Sequence, residues 1–142
     1  MKKLKPRKRL SWPKTAIKLA FTIAESRSED PHLQVGAVAF KKDKSILVGY
    51  NGAPSGIDID WSDRDHRRAR VVHAEANVLN YCKPGEVDFV ACTHIPCQEC
   101  LKVIASKQVK TVFYSKEAEN YPTEISAKLA QEFKITLLKI EE

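Results

Sequence analysis

Aromatic side chains are scarce, with two Trp and five Phe among 142 residues, too few for the stacking surface that single-stranded nucleic acids need. No apolar run approaches the ~20 residues of a membrane-spanning helix. Leu10 and Trp12 are too sparse for the apolar stretch of a signal peptide, so no membrane partner is expected. Acid is missing from the first fourteen residues, where Lys2, Lys3, Lys5, Arg7, Lys8, Arg9 and Lys14 stand unopposed. These seven of the 24 basic residues account for the net charge of +6, because the other 17 face 18 acidic ones. A basic arm, residues 1–12, on a near-neutral body, residues 13–142, suggests a solvated or docking terminus and not a nucleic-acid platform. Repeats and low-complexity linkers are also absent, and 43% hydrophobic content suits one globular domain of this length.

The chemistry lies in what remains. His73-Ala74-Glu75 is followed by Pro96-Cys97-Gln98-Glu99-Cys100. One imidazole and two thiolates make a three-ligand zinc set, which leaves the fourth tetrahedral position open as a catalytic site requires. Two thiolates neutralise most of the ion's charge, so a nearby base becomes useful, and Glu75 is the candidate. Cys97 and Cys100 are three residues apart, one helical turn, with Pro96 suited to a helix start whose exposed N–H groups favour thiolates. His73 and Glu75 are two apart, about 200° around an ideal helix, which favours separate roles over two equal ligands. A structural zinc knuckle would need a second close Cys/His pair, and none is evident. Cys82 and Cys92 read as reduced, buried thiols of a cytoplasmic protein.

Periodicity predicts a helix from Pro13 to about Ser28, a hairpin of Gln34–Phe40 and Ile46–Tyr50, and a loop over Asn51–Gly56. Ile57–Arg70 reads as loop or short helix. A helix over Ala74–Cys82 follows, then a strand over Val87–Thr93, the Cys97 helix to about Ser106 and a strand over Val109–Tyr114. A helix over Thr123–Phe133 and a strand over Ile135–Ile140 complete the chain. The order α-β-β-α-β-α-β-α-β implies an α/β fold, a mixed sheet with parallel strands in its second half and helices on both faces. The starts of the His73 and Cys97 helices then meet at one end of the sheet, where ligand sites of open α/β sheets form.

The H-x-E and P-C-x-x-C elements are the signature of zinc nucleobase deaminases, in which the Glu stays off the metal. With Arg9-Leu10-Ser11-Trp12, Val35-Gly36-Ala37-Val38, Gly49-Tyr50-Asn51-Gly52 followed by Pro54 and Gly56, and Asn77 after the H-A-E element, the chain resembles the deoxycytidylate (dCMP) deaminases of the cytidine-deaminase-like superfamily. The resemblance implies a three-layer α-β-α fold with a mixed five-stranded sheet, one Zn2+ per chain held by His73, Cys97 and Cys100, and hydrolysis of dCMP to dUMP and ammonia. It implies that Glu75 shuttles protons, that Asn51 bonds the sugar hydroxyl, and that the Ala74 N–H holds the base carbonyl. The Ile95 carbonyl would accept from the exocyclic amine, and His94 would line the pocket or simply pack near the metal. Gly49, Gly52 and Gly56 would approach a dCTP or dTTP effector in a homo-oligomer, a hexamer by resemblance.

Arg64, Arg67, Arg68 and Arg70 are candidate phosphate contacts, although Asp60, Asp63 and Asp65 interleave with them as on a self-paired surface. The chain departs from the family in two places. Residues 54–73 lack the extra Cys/His cluster of some viral relatives, so one metal is expected. Ser115-Lys116-Glu117-Ala118 replaces an acidic and aromatic signature, which bears on phosphate contact and effector control. The competing readings are a tRNA adenosine deaminase, which would use the basic arm on RNA, and a non-catalytic zinc-stabilised binding module that would not need Glu75.

Overall fold

Ser11 starts the fold by accepting the Lys14 N–H at 3.3 Å, and Pro13 occupies the first turn of α1, Trp12–Arg27. The computed structural model describes residues 3–119 and 121–142, so Met1 and Lys2 of the arm lie outside the described residues. Residues 3–10 form no element and are exposed. Strands β1 (Gly36–Lys41) and β2 (Ile46–Tyr50) form the expected antiparallel hairpin, with Val38 opposite Val48. Lys44 turns it with φ 72°. Then come α2 (Arg64–Arg70), α3 (Ala74–Leu79), β3 (Val87–His94), α4 (Gln98–Ser106), β4 (Thr111–Lys116), α5 (Thr123–Glu132) and β5 (Thr136–Lys139).

The sheet order is β2-β1-β3-β4-β5. β1 runs antiparallel to both neighbours, whereas β3, β4 and β5 are parallel, giving the mixed five-stranded sheet. Helix α1 covers one face, packing Ile17, Ala20 and Phe21 on Val38, Phe40, Phe89 and Ala91. On the other face Val78 and Leu79 of α3, Leu101 and Ile104 of α4, and Ala130 of α5 pack on Ala37, Ala39, Val90 and Val112. β3 is central and covered on both sides, which is why Phe89–Thr93 is continuously buried instead of alternating. Gly36 permits the close crossing of α1, since a Cβ there would sit 1.9 Å from the Ala20 carbonyl oxygen.

The short-helix alternative for residues 57–70 holds, and the ends of several other elements differ from the sequence expectation by one to three residues. Helix α2 is distinct because the Asp63 carboxylate accepts the His66 N–H at 3.0 Å, an N-cap that aperiodic residues do not advertise. Helix α3 ends at Leu79, because Tyr81 and Cys82 donate back only three residues, to Val78 and Leu79, tightening the last turn before Pro84-Gly85. β4 begins at Thr111, since Gln108 takes φ 63° and the Val109 N–H bonds the Ile104 carbonyl, which spends Val109 on ending α4. Among the described residues no helix is long and apolar enough to cross a membrane.

Candidate metal centre and active site

The parallel strands carry α3 and α4 back so that both helices start at the same end of the sheet. His73 is the N-cap of α3 and Cys97 the N-cap of α4, yet neither side chain caps its own helix. They turn toward each other instead. His73 Nδ1 lies 3.2 Å from Cys100 Sγ and 3.5 Å from Cys97 Sγ, and the three donor atoms all fall within 4.8 Å of one another. Ordinary Zn–N and Zn–S bonds in a tetrahedron separate nitrogen from sulfur by about 3.5 Å, so the set fits one zinc ion. Cys100 is buried, Cys97 half-buried and His73 exposed, which leaves one side of the cluster open.

Glu75 is only 4% exposed and is not one of the three clustered donors. Burial raises its carboxyl above the usual range, opposed by its own backbone N–H, the His73 charge and a hydrogen bond with Cys100. A raised carboxyl beside an open metal position suits proton transfer. The two thiols share a hydrogen bond that splits them. Cys97, accepting from Cys100 and helped by His73, is pulled down to about 4, whereas Cys100 is pushed up as the donor and by burial. The Cys97 sulfur in turn raises His73. Zinc binds thiolates, so its binding releases whatever protons the two sulfurs retain.

Two residues absent from the sequence reading hold the Cys97 turn. Ser126, fully buried in α5, donates its hydroxyl to the Pro96 carbonyl at 2.6 Å. The Tyr121 hydroxyl accepts the Gln98 N–H, the first amide of α4, at 3.0 Å. Neither lies near a motif; the only signal is a serine on the buried side of an amphipathic helix.

The family model for the cytidine and deoxycytidylate deaminase zinc-binding region matches residues 10–116. The chain belongs to this family. It is 34% identical over 116 residues to a probable deoxycytidylate deaminase of Caenorhabditis elegans, covering 75% of this chain and 59% of the nematode protein. Identity to the Homo sapiens deoxycytidylate deaminase is 31% over 131 residues, 83% of this chain and 72% of the human one. The cyanophage S-TIM5 dCMP deaminase, crystallised with dCMP and dUMP, superposes with a TM-score of 0.73 at 28% identity, covering 89% of this chain and 95% of that one.

Within this deaminase-family frame, the other expected site residues divide into two groups. Ala74 is the first residue of α3, where a backbone N–H has no intrahelical acceptor. The Ile95 N–H donates to the Lys116 carbonyl at 2.8 Å, and among the described residues no donor reaches the Ile95 carbonyl. His94 closes β3 half-buried, with Nδ1 2.8 Å from the Thr93 hydroxyl. Asn51 is different. Its Oδ1 accepts from Ser28 Oγ (2.6 Å) and the Val35 N–H (2.9 Å), and its Nδ2 donates to the Leu33 carbonyl (2.9 Å) and Asp30 Oδ2 (3.4 Å). All four positions of the amide are filled by the chain itself, so a sugar contact has to displace one of them.

The glycines expected at an effector have internal duties. A Cβ at Gly49 would stand 2.9 Å from the Ala74 carbonyl oxygen and the Val78 nitrogen, so this glycine lets β2 approach α3. Gly52 exchanges backbone hydrogen bonds with Val72, tying the loop to the residue before His73. Gly56 sits in an exposed turn with φ 79°. The acids among the arginines are not their partners: Asp60 takes the Ser62 hydroxyl and Asp63 caps α2, and among the described residues Arg64, Arg67, Arg68 and Arg70 form no ion pair.

Proposed function

We propose that the protein is a zinc-dependent hydrolase that converts dCMP and water to dUMP and ammonia in deoxynucleotide metabolism. The observation that carries this reading is the Glu75 carboxyl, buried and raised, beside a three-donor cluster from which it is itself excluded. His73, Cys97 and Cys100 would hold a single zinc ion. When bound, the ion supplies Lewis-acid chemistry that makes a water molecule a nucleophile near neutral pH.

Glu75 takes one proton from the attacking water as its oxygen bonds to C4 of cytosine and delivers it to N3, then takes the remaining proton from the new C4 hydroxyl and delivers it to the departing amino group. C4 gains a carbonyl oxygen and loses ammonia, and the carboxylate returns to its starting state. The free Ala74 N–H suits the base carbonyl and the free Ile95 carbonyl the exocyclic amine. Asn51 serves through the Ser28–Val35 loop it fastens. Residues 13–142 form the catalytic unit, with the basic arm 1–12 as an accessory. The relatives support dCMP as substrate, and the same resemblance supports a homo-oligomer, a hexamer, responsive to dCTP or dTTP and acting in the cytoplasm.

Ammonia release from zinc-loaded protein tests the reading against dCMP, dCTP, cytidine and a tRNA anticodon stem, with and without dCTP and dTTP. Turnover of dCMP is expected. Turnover of the tRNA alone, through the exposed cations of the arm, would overturn it, and no turnover with zinc bound would make the protein a binding module.

A further inference from the structure

Thr93 and His94 end β3 at the edge of the candidate site, three residues before Cys97. Thr93 is fully buried, and its hydroxyl oxygen accepts the Gly36 N–H at 3.1 Å while lying 2.8 Å from His94 Nδ1. A hydroxyl has one proton to give. The Gly36 amide is a donor and cannot take it, so Nδ1 is its acceptor. In the opposite arrangement, with Nδ1 protonated, the buried Thr93 proton would have no acceptor, at a cost of about 1–3 kcal/mol. His94 therefore accepts at Nδ1 and carries its proton on Nε2.

The neighbouring strand adds a second donor. Lys116 stands opposite His94 in the parallel β3–β4 register, is exposed, and forms no ion pair among the described residues. Its ammonium lies 5.2 Å from the centre of the Phe21 ring. Burial first, and then the Lys116 charge, lower the His94 imidazole below its ordinary pKa, opposed by Glu119. An imidazole fixed with its free edge as N–H and an unpaired ammonium both donate and cannot accept. Such a pair suits a ligand atom that only accepts.

We propose that Thr93 locks His94 in the Nε2–H form and that His94 and Lys116 together read the phosphate oxygens of a pyrimidine nucleotide. This assignment rests on the nucleotide-deaminase reading of the site. Thr93 is a positioning residue in it, and His94 and Lys116 are the contacts.

Two measurements that need no turnover test the assignment. Long-range proton–nitrogen spectra of the 15N-labelled, zinc-loaded protein should show His94 protonated at Nε2, retained in Thr93→Ser and lost to a tautomer mixture in Thr93→Val. Calorimetric binding of the product dUMP should weaken about tenfold in Thr93→Val and Lys116→Met, while deoxyuridine, which lacks phosphate, should change less than about twofold. Nδ1 protonation in the wild type, or equal effects on dUMP and deoxyuridine, would overturn the proposal. Where Thr93→Val does not fold, Thr93→Ser and Lys116→Met still decide it. Failure of the wild type to release ammonia from dCMP strikes the functional reading instead, because neither measurement depends on catalysis.

Discussion

Glu75 and Asn51 are both buried and polar, and they differ in what they leave unused. Replacing Glu75 by Gln keeps the shape and removes the carboxyl proposed to carry protons, so turnover should fall by at least about a hundredfold with zinc retained at one per chain. Cys97→Ser should lose metal and activity together; assay and metal analysis on the same samples separate the two outcomes. Asn51 is saturated, and Asn51→Ala strands the Val35 N–H and the Leu33 carbonyl. The expected loss is on the order of 3 kcal/mol in urea denaturation. Only the family resemblance makes Asn51 a ligand residue, because an Asn-Gly pair in a loop is by itself an ordinary turn. Its partners come from residues 28–35, which reach it only once β1 and β2 have paired.

His94 gives the pH dependence at this scale. Burial and Lys116 hold its folded-state pKa below the ordinary imidazole value. The unfolded chain therefore takes up this proton first as pH falls. The contribution to stability is complete above about pH 6.5 and is lost as the pH drops from there through the folded-state value. His94→Gln should consequently lose less stability than the wild type between pH 8 and pH 5.5, measured by urea titration at both values. Equal losses would show that the imidazole is not held neutral.

At the scale of elements, the site depends on two helix starts and on α5 behind them. Ser126→Ala frees the Pro96 carbonyl, the residue that leads into the Cys97 turn. Zinc affinity should fall about tenfold in a competition titration with a chelator, because a group that orients a ligand is being removed. A stability change with unaltered zinc affinity would mean that Ser126 only packs. The helix and strand types were legible because their periods differ and Pro and Gly punctuate them. Ends were less legible, since the start of α2 rests on one side-chain cap at Asp63 and the end of α4 on one backbone conformation at Gln108, which no pattern reveals. The ligand triad was legible because Cys97 and Cys100 share one turn and His73 begins the other helix. Ser126 and Tyr121 were not, because their roles arise from packing between segments distant in sequence.

For the molecule as a whole, zinc should act as a folding ligand. The donors come from α3 and α4, which converge only when β3 and β4 are in place, so the unfolded chain offers no equivalent site. Free zinc at about a thousand times its dissociation constant should add about 4 kcal/mol. Thermal denaturation with and without chelator should show the difference, and the Cys97→Ser protein should show almost none.

Tyr121 and Ser126 belong to the closing fifth of the chain, yet they grip the turn that carries the reactive sulfurs. Damage to the C-terminal segment should therefore be felt first as a leaking metal, well before the sheet comes apart.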